Sequence, residues 1–415
     1  MLIDLASKVS TLNILLHGEP IGTLTRVAGD RTLFAFNQAY VADAQRPVLG
    51  LGFKDQLGGL ITDFAPTQTK LLPFFSNLLP EAHLRTYLAA RAGVNPVREF
   101  YLLWALGQDL PGAVTIMPVD GETWPDDERH AARDDDRRRD APRDALRFSL
   151  AGVQLKFSAI HESRAGLTIP AAGVGGSWII KLPSREFAGV PENEFSMMTL
   201  ARLVGMNVPA LELVELQSID NLPQGLDAVK GKALVVERFD RRPDGGKVHF
   251  EDFAQIFGVY PEHKYKKASM RSIARVVAAE GNQSDIAEFV RRLTFNILIG
   301  NADMHLKNWS MIYPDRRTAA LATAYDFVST IAYLRDDNFA LSIGRSKRFD
   351  QFNEDELVHL AAKALMPAKL VLDTARETVA LFHQHWAREK NHLVLSAAAI
   401  DSIDRHVKIV PISTR

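Results

Sequence analysis

The alternation of hydrophobic and polar residues predicts strands in the first part of the chain. Residues 11–26 alternate around His17-Gly18-Glu19-Pro20, which predicts a β-hairpin. Apolar side chains then recur at helical spacing over 78–92 and 97–106, and 113–117 has the pattern of a strand. This order predicts a small N-terminal α+β unit.

The pattern changes from mainly strands to mainly helices further along the chain. Strands are predicted at 178–182 and 234–239, with a helix at 193–204 that ends before Gly205. Further helices are predicted at 250–257, 269–280, 285–299, 354–364 and 367–390. A sheet-rich small lobe therefore precedes a helical large lobe.

A mixed-charge stretch separates the two parts of the chain. Residues 120–147 contain almost no large apolar side chains, so they cannot bury a core and are predicted to form a linker or surface excursion. We predict four segments, which are the N-terminal subdomain 1–119, the linker 120–147, the small-lobe core 148–240, and the large lobe 241–415.

Composition narrows the class of protein. The chain has 415 residues, 47% hydrophobic and 24% charged, and 49 Lys+Arg balance 50 Asp+Glu, which argues against general polyanion binding. It has no Cys, which excludes disulfides, thiolate zinc sites and a cysteine nucleophile. We find no signal peptide and no apolar run near the roughly 18 residues that span a bilayer. We therefore expect a cytoplasmic protein with no membrane contact.

The strongest chemical signal is a catalytic loop. Asp303 and Asn308 have the Asp-x-x-x-x-Asn spacing of protein kinases, and Asp326-Phe327 follows as the metal-binding Asp-Phe pair would. We predict that Asp303 accepts the proton of the substrate hydroxyl and that Lys307 neutralises the transferring phosphoryl group. Asn308 and Asp326 would coordinate Mg²⁺, which prefers oxygen ligands and phosphate partners.

The residues around this loop suggest how it is held. Helix 285–299, with Ser284 as the predicted N-cap, leads directly into Gly300 and anchors the loop. His305 leaves two interpretations open, a metal-hydrolase ligand or a histidine that orders the loop. The second is favoured, because no other His lies at ligand spacing.

Three weaker signals suggest a nucleotide site. The small residues between Ser149 and Lys156 could form an ATP loop in the small-lobe core, whose backbone N–H groups approach the phosphates. Taken alone, the segment is more consistent with an ordinary hairpin turn. Lys181, within an apolar strand, would grip the phosphates with Glu194 as its partner. The alternative for Lys181 is a lysine on an edge strand whose ammonium group reaches solvent. The alternative for Glu194 is an acid in the first turn of a helix that complements the helix dipole.

The strand that ends at Glu237, Arg238 and Phe239 is a candidate inter-lobe hinge. Its backbone would face adenine and Phe239 would form a wall of the pocket, whereas the alternative is a plain core strand. A basic cluster is more consistent with a solvated helix face than with a partner or nucleic-acid contact. Its members are His263, Lys264, Lys266, Lys267, Arg271 and Arg275.

Together these motifs resemble the HipA-type serine/threonine kinases, which are toxins of bacterial toxin–antitoxin pairs. The resemblance covers nearly the whole chain and is carried by motifs in the same order. They are Gly22-Thr23-Leu24-Thr25, Asn77-Leu78-Leu79-Pro80, Gly112-Ala113-Val114, Ser149 to Lys156, Ile180-Lys181-Leu182-Pro183, Asn193-Glu194, Val236 to Arg241, Glu251-Asp252, Gln255 to Gly258, Asp303-x-His305-x-Lys307-Asn308 and Tyr325-Asp326.

The resemblance implies an α+β, bilobal, protein-kinase-like fold with an extra N-terminal subdomain and a helical C-terminal lobe. It implies ATP and Mg²⁺ as cofactors and a protein substrate, an aminoacyl-tRNA synthetase being the best-known class. It also implies a HipB-type antitoxin as partner, with DNA contacted mainly through that antitoxin. The nucleotide contacts it implies are Ala151, Gly152, Val153, Gln154, Leu155, Lys156, Lys181, Glu237, Arg238, Phe239, His305, Leu306, Lys307, Asn308, Tyr325 and Asp326.

The resemblance further implies autophosphorylation at Ser149, which would act as an off-switch by placing negative charge beside the ATP phosphates. The alternative is a nucleotide-binding regulatory module that acts mainly by assembling with an antitoxin on its operator. Because Asp303, Asn308 and Asp326 are all present, we expect an active kinase.

Overall fold

The structure is a computed structural model that describes residues 9–119, 156–162, 166–168, 175–184, 186–222, 231–334 and 338–414. Several predictions lie outside these ranges, namely the linker 120–147, Ser149, Ala151, Gly152, Val153, Gln154 and Leu155. Lys156, the last residue of the predicted ATP loop, is described as the first residue of a strand.

A five-stranded antiparallel sheet forms the core of the N-terminal unit, the described residues 9–119. Its order is β4-β3-β2-β1-β5, and its strands are β1 (Thr11–Leu16), β2 (Glu19–Val27), β3 (Arg31–Phe36), β4 (Thr67–Gln68) and β5 (Val114–Pro118). The predicted hairpin is confirmed. His17 and Gly18 have φ angles of 54° and 85°, as a tight two-residue hairpin turn requires.

Short helices cover this sheet, namely α1 (Gln38–Ala42), α2 (Pro73–Ser76), α3 (Ala82–Ala92) and α4 (Glu99–Leu106). The helix predicted at 78–92 begins later, at Ala82, because Pro80 disfavours helical backbone at the residue before it. Its predicted end is confirmed, since Gly93 has a left-handed φ of 67° and caps α3.

A six-stranded sheet forms the small lobe, in the order β10-β7-β6-β8-β11-β9. Its strands are β6 (Lys156–Glu162), β7 (Gly166–Thr168), β8 (Trp178–Lys181), β9 (Leu211–Glu215), β10 (Ile219–Asp220) and β11 (Lys232–Glu237). Helix α5 (Val190–Leu203) packs against β11. The register places Lys181 opposite both Lys156 and Leu234, so the two lysines share one face of the sheet.

A third, three-stranded sheet corrects one sequence prediction. Residues 250–257 were expected to be helical, but β12 (His249–Asp252) pairs with β13 (Ser310–Tyr313), which pairs with β14 (Ala320–Leu321). Only α6 (Phe253–Ile256) is helical, because the Asp252 side chain caps the N–H of Gln255 and fixes the helix start there. The helical pattern could not indicate a strand whose partner lies some sixty residues away.

Five longer helices complete the large lobe, the described residues from 241 onward. They are α7 (Met270–Glu280), α8 (Gln283–Leu298), α9 (Glu354–Ala364), α10 (Ala368–Glu389) and α11 (Ala397–His406). The N-cap predicted for α8 at Ser284 is wrong. Asn282 caps it instead, because its Oδ1 accepts the N–H groups of Ser284 and Asp285 at 2.8 and 3.2 Å.

Among the described residues, the buried apolar side chains form three clusters. One lies between the N-terminal sheet and its helices, one lies within the six-stranded sheet, and the largest surrounds α8 and α10. Leu51 belongs to the large-lobe cluster although it comes from the N-terminal unit. The architecture confirms the α+β class with an extra N-terminal subdomain and a helical C-terminal lobe, while the segment boundaries stay predictions.

No helix among the described residues has the length and apolar character that crossing a bilayer demands.

A buried carboxyl group lies where the N-terminal unit meets the large lobe. Oε1 of Glu251 accepts the N–H of Leu51 at 2.7 Å and the hydroxyl of Tyr313 at 2.5 Å. Its other oxygen is buried and has no hydrogen-bond partner within the described residues. Burial raises the pKa of Glu251 from 4.5 to about 8, because the charged form loses its contact with water, while the bonds from Tyr313 and Leu51 oppose that rise.

This carboxyl group predicts a pH-dependent stability that Glu251→Gln should remove. The folded state holds this proton more tightly than the unfolded state, so the contribution of Glu251 to stability should fall as pH rises from about 5 towards 8, and no further above that. We expect the free energy of unfolding of Glu251→Gln, relative to that of wild type, to rise by about 1 kcal/mol or more over that pH range. Thermal unfolding of both proteins at several pH values measures the difference.

The control for this measurement is Glu19→Gln, since Glu19 is exposed in the first hairpin. This variant makes the same substitution at an exposed position and so measures the effect of replacing a carboxyl by an amide outside the core. Asp252, whose pKa burial raises to about 6, is present in all three proteins. A pH-independent difference for Glu251→Gln would contradict the prediction.

Candidate active site

The predicted catalytic loop begins at a sharp turn that only glycine permits. Helix α8 ends at Leu298, and Gly300 follows with a left-handed φ of 66°. A Cβ at this position would approach the Cδ1 atom of Ile331 to 2.4 Å, so a larger residue would displace the neighbouring chain. The turn therefore sets the direction in which residues 301–308 leave the helix.

Asn301 fixes the loop from inside, and sequence reasoning gave it no role. Its Oδ1 accepts the N–H of Asp303 at 3.0 Å, and its Nδ2 donates to Oδ1 of Asn296 at 2.8 Å and to the backbone oxygen of Asp326 at 3.5 Å. Asn301 and Asn296 are both buried. One buried amide thus connects the backbone of the predicted base, Asp303, to that of the predicted metal ligand, Asp326. The signal available in the sequence was the pair of asparagines near the end of this helix.

Asp303 carries the carboxylate that we predict to act as the base. Its Oδ1 accepts the hydroxyl of Tyr265, and its backbone oxygen accepts Nδ2 of Asn308 at 3.0 Å. Burial raises the pKa of Asp303, while the Tyr265 hydrogen bond opposes that rise. Tyr265 is a second residue near the site that sequence reasoning missed, and its position within a basic run concealed it.

Lys181 lies at the centre of a buried charge cluster. Its Nζ pairs with the carboxylates of Glu194 on α5 and of Asp326, and Lys156 Nζ lies 3.1 Å from Oδ2 of Asp326. The predicted Lys181–Glu194 pair is therefore present. Burial acts to lower the pKa of Lys181, but the charges of Asp326 and Glu194 outweigh it and raise the pKa, so the amine stays protonated.

Asp326 is held in an unusual backbone conformation. Its φ is 58°, a left-handed value that costs a non-glycine residue about 1 kcal/mol or more. Burial acts to raise its pKa, but the charges of Lys156 and Lys181 lower it far below the ordinary value. The surrounding contacts thus maintain a strained, fully ionised carboxylate between two lysines.

Two predicted nucleotide residues form an aromatic pair. The rings of Phe239 and Tyr325 stack with centroids 5.7 Å apart and an interplanar angle of 25°. The Tyr325 hydroxyl donates to the backbone oxygen of Lys307 at 3.1 Å and lies 2.5 Å from Oγ of Ser310. The pair therefore connects the end of β11 to the catalytic loop, and its faces suit a planar base.

The other predicted hinge residues are less open to a nucleotide. The backbone N–H groups of Glu237 and Arg238 donate to the carbonyls of Ala210 and Ser177, each at 2.8 Å. The Phe239 N–H has no hydrogen-bond partner within the described ranges. A base could therefore bond to Phe239 backbone, whereas the N–H groups of the two residues before it are already used.

The side chain of Arg238 belongs to a buried network of ion pairs. Its guanidinium pairs with Asp240 at 2.9 Å and with Asp109 at 3.2 Å, and Arg241 pairs with both acids at 2.7 Å. Asp109 comes from the N-terminal unit, and it also accepts Oγ of Ser158 at 3.2 Å. The side chain of Arg238 therefore joins three segments of chain, whereas the nucleotide contact predicted at this strand end involves the backbone.

Lys307 also contacts the N-terminal unit. Its Nζ lies 2.8 Å from Oε1 of Glu81 and 3.1 Å from the backbone oxygen of Asn77, and Lys264 pairs with the same glutamate at 3.0 Å. Burial acts to raise the pKa of Glu81, but these two lysines outweigh it and lower the pKa to about 2. In this arrangement the charge of Lys307 offsets Glu81, and Lys264 is not part of a purely solvated face.

His305 is buried and neutral. Burial lowers its pKa to about 3, and its Nδ1 has no hydrogen-bond partner in the part of the chain that the structure describes. Its backbone takes part in the loop, because its N–H donates to Asp303 and its carbonyl accepts the N–H of Asn308. Leu306 is buried beside it and begins the 3₁₀ turn Leu306–Asn308.

The residues predicted to hold a metal fit magnesium better than zinc. The described residues contain no group of three or more His, Asp or Glu side chains that could hold a metal by themselves. Asn308 donates through its Nδ2, and its amide oxygen has no hydrogen-bond partner among the same residues. One carboxylate and one amide oxygen, completed by phosphate oxygens and water, match the preference of Mg²⁺.

Comparison with known proteins gives a family match for each of the two parts of the chain. The family described as "HipA-like C-terminal domain" matches residues 148–386, and "HipA N-terminal domain" matches residues 12–117. The Sinorhizobium fredii protein Y4dM, which bears a kinase name, is 56% identical over 406 residues, 97% of this chain and 98% of its own length. Its Y4mE protein is 30% identical over 443 residues, 98% of this chain and 99% of its own.

Two comparisons involve Shewanella oneidensis. The serine/threonine-protein kinase toxin HipA of that organism is 26% identical over 371 residues, 80% of each chain. A solved complex of HipA, HipB and operator DNA from the same organism contains a chain with the same fold. The TM-score is 0.70 at 23% identity, with 96% of this chain and 98% of that chain covered.

Proposed function

The chain belongs to the HipA family, and from that membership and the site geometry we propose that it is an ATP- and Mg²⁺-dependent serine/threonine protein kinase. We propose that it is the toxin of a toxin–antitoxin pair and inhibits growth by phosphorylating a cytoplasmic protein. An aminoacyl-tRNA synthetase is the substrate class that the family resemblance favours.

One observation carries this proposal. The buried Lys181–Glu194 pair, the ionised Asp326 and the Asp303 loop lie in one connected arrangement, because Asn301 bonds to both aspartate segments. A phosphotransferase needs positive charge for phosphates, an oxygen ligand for the metal and a base for the hydroxyl. A binding module would need only the first two.

The site has a nucleotide side and an acceptor side, and different residues act on each. Lys156 and Lys181 bind the ATP phosphates, and the Phe239–Tyr325 pair packs against the base. Mg²⁺, held by Asn308 and Asp326 with phosphate oxygens, would neutralise charge on the phosphates when bound.

On the acceptor side, Asp303 takes the proton of the substrate hydroxyl while that oxygen forms a bond to the γ-phosphorus. The bond from the γ-phosphorus to the bridging oxygen breaks, and ADP leaves with the bridging oxygen.

The test is incubation of the purified chain with labelled ATP and Mg²⁺, followed by phosphoproteomics after expression in cells. We expect label on serine or threonine, and a target whose phosphorylation accompanies growth arrest. Retained ATP binding without any transferred label would instead support the regulatory-module alternative.

We further propose a HipB-type antitoxin as partner, with DNA contacted mainly through it. The support is the Shewanella oneidensis complex, in which HipA and HipB are found with operator DNA. Co-expression with the neighbouring gene product and co-purification tests the partner. A shift of operator DNA by the antitoxin alone, enlarged by adding this chain, tests the indirect contact.

We predict that active protein autophosphorylates at Ser149 and that the modification lowers ATP affinity. Ser149 lies seven residues before Lys156, so a phosphate with about −1.5 to −2 charge would compete with ATP for the lysines. Ser149→Ala should lose the modification and keep activity, and Ser149→Asp should bind ATP at least several-fold more weakly. Mass spectrometry and nucleotide titration measure the two effects.

The matched control is Ser218→Ala, because Ser218 is an exposed serine in the small lobe. It should leave the phosphorylation pattern unchanged. Phosphate found on other residues and never on Ser149 would disprove this regulatory prediction without affecting the kinase proposal.

A further inference from the structure

Tyr265 contacts the predicted base directly, and neither the sequence motifs nor the proposed reaction gives it a role. It lies between the 3₁₀ turn Pro261–His263 and helix α7. Its hydroxyl donates to Oδ1 of Asp303, and its ring meets the ring of His305 edge-on, with centroids 5.0 Å apart. These two contacts place its phenol against the catalytic loop.

The segment that carries Tyr265 is attached to the same loop by its backbone. The N–H of Leu306 donates to the carbonyl of Lys264 at 3.3 Å, and the N–H of Lys266 donates to His263 at 2.8 Å. The Lys264 side chain pairs with Glu81 at 3.0 Å. Lys264 and Lys266 on either side of Tyr265 are therefore held by hydrogen bonds, although Tyr265 itself is 41% exposed.

The bonds to Asp303 divide into two kinds. Asn301 and Asn308 bond to its backbone N–H and carbonyl, which fixes the loop but not the carboxylate. Within the described residues, Tyr265 makes the only hydrogen bond to the Asp303 side chain. A carboxylate oxygen accepts more than one hydrogen bond, and the second oxygen has no partner in those ranges. The Tyr265 bond therefore fixes the carboxylate and leaves its second oxygen able to accept a hydrogen bond from another group.

We propose that Tyr265 is a positioning residue of the phosphoryl-acceptor site, whose hydroxyl holds the Asp303 carboxylate so that its second oxygen receives the substrate hydroxyl. This inference rests on the proposed kinase function. Tyr265 is partly exposed, so a protein substrate can reach this side of the Asp303 carboxylate. The buried lysine at the nucleotide side, Lys181, has no contact with it among the described residues.

This separation predicts how Tyr265→Phe should behave. The substitution removes the hydroxyl and keeps the ring, so the contact with His305 is retained. A carboxylate that can rotate spends less time in the productive geometry, and small misplacements of a catalytic group cost large factors in rate. We expect the rate at saturating ATP to fall about tenfold or more, with the half-saturating ATP concentration unchanged.

The experiment measures the label that is transferred from ATP to the full chain in the presence of Mg²⁺, over a range of ATP concentrations. Calorimetry measures ATP binding to the same proteins. Tyr260→Phe is the matched control, because Tyr260 is five residues away and its hydroxyl donates to the Leu71 carbonyl at 3.1 Å, outside the site. It should keep the wild-type rate. Unchanged ATP binding by Tyr265→Phe demonstrates that the variant is folded.

Each outcome decides the proposal. A wild-type rate for Tyr265→Phe overturns it, and a faster rate overturns it in favour of a hydroxyl that competes with the substrate. A loss of ATP affinity equal to the loss of rate also overturns it, because the defect would then be structural. If wild type itself transfers no label while binding ATP, the proposed function fails and this inference falls with it.

Discussion

Asp303→Asn is expected to lower phosphoryl transfer by about 10²–10⁴-fold while ATP still binds. The substitution is nearly isosteric, and the loop should keep its shape, because Asn301 and Asn308 bond to the backbone of residue 303 rather than to its side chain. The amide oxygen can still accept the Tyr265 hydroxyl. What is lost is the group that takes the proton from the substrate.

Labelled-ATP transfer and nucleotide titration of the same preparation separate chemistry from binding. Asp355→Asn is the control, since Asp355 is exposed at the start of α9, and it should retain full activity. Full activity of Asp303→Asn would remove Asp303 from the role of base. Absence of transfer in both wild type and variant, with ATP bound, would favour the regulatory module.

Asp109→Ala is expected to destabilise the folded protein by about 3–5 kcal/mol, because it leaves two buried guanidinium groups short of a partner. Asp109 accepts hydrogen bonds from Arg238, Arg241, Ser158 and the N–H of Gly175. Burial acts to raise its pKa, but the two arginines outweigh it and lower the pKa, so the carboxylate is ionised in the folded state.

The comparison is with an exposed acid that also has an ion-pair partner. Asp373 pairs with Lys369 one turn away on α10, and both side chains are exposed. Asp373→Ala should cost less than about 1 kcal/mol. Chemical denaturation of both variants measures the difference, and equal losses would contradict the importance given to the buried network.

The residues best predicted from sequence are those whose environment is set by their neighbours along the chain. Lys181 stands out because a lysine within an apolar strand needs a partner, and Glu194 is only thirteen residues away. The loop from Gly300 to Asn308 is likewise local, since its length and its glycine turn are written in consecutive residues.

Other features depend on contacts between distant segments, so no local pattern could indicate them. Tyr265 meets Asp303 across 38 residues, and Arg238 meets Asp109 across 129. The nucleotide contact predicted at this strand end concerns its backbone, and the strand pattern says nothing about which acid the Arg238 side chain meets. The choice of Asn282 over Ser284 as the cap of α8 was also undetermined, because both residue types cap helices well.

The contacts of Lys307 and Leu51 bear on how the chain could be divided. The two family matches are separate segments, yet Lys307 from one pairs with Glu81 from the other, and Leu51 packs among the apolar residues around α8 and α10. Produced as two polypeptides, the segments would be subunits of an obligate complex. Each segment alone would expose the surface through which it contacts the other in the intact chain. The folding of each segment would therefore depend on the concentration of the other.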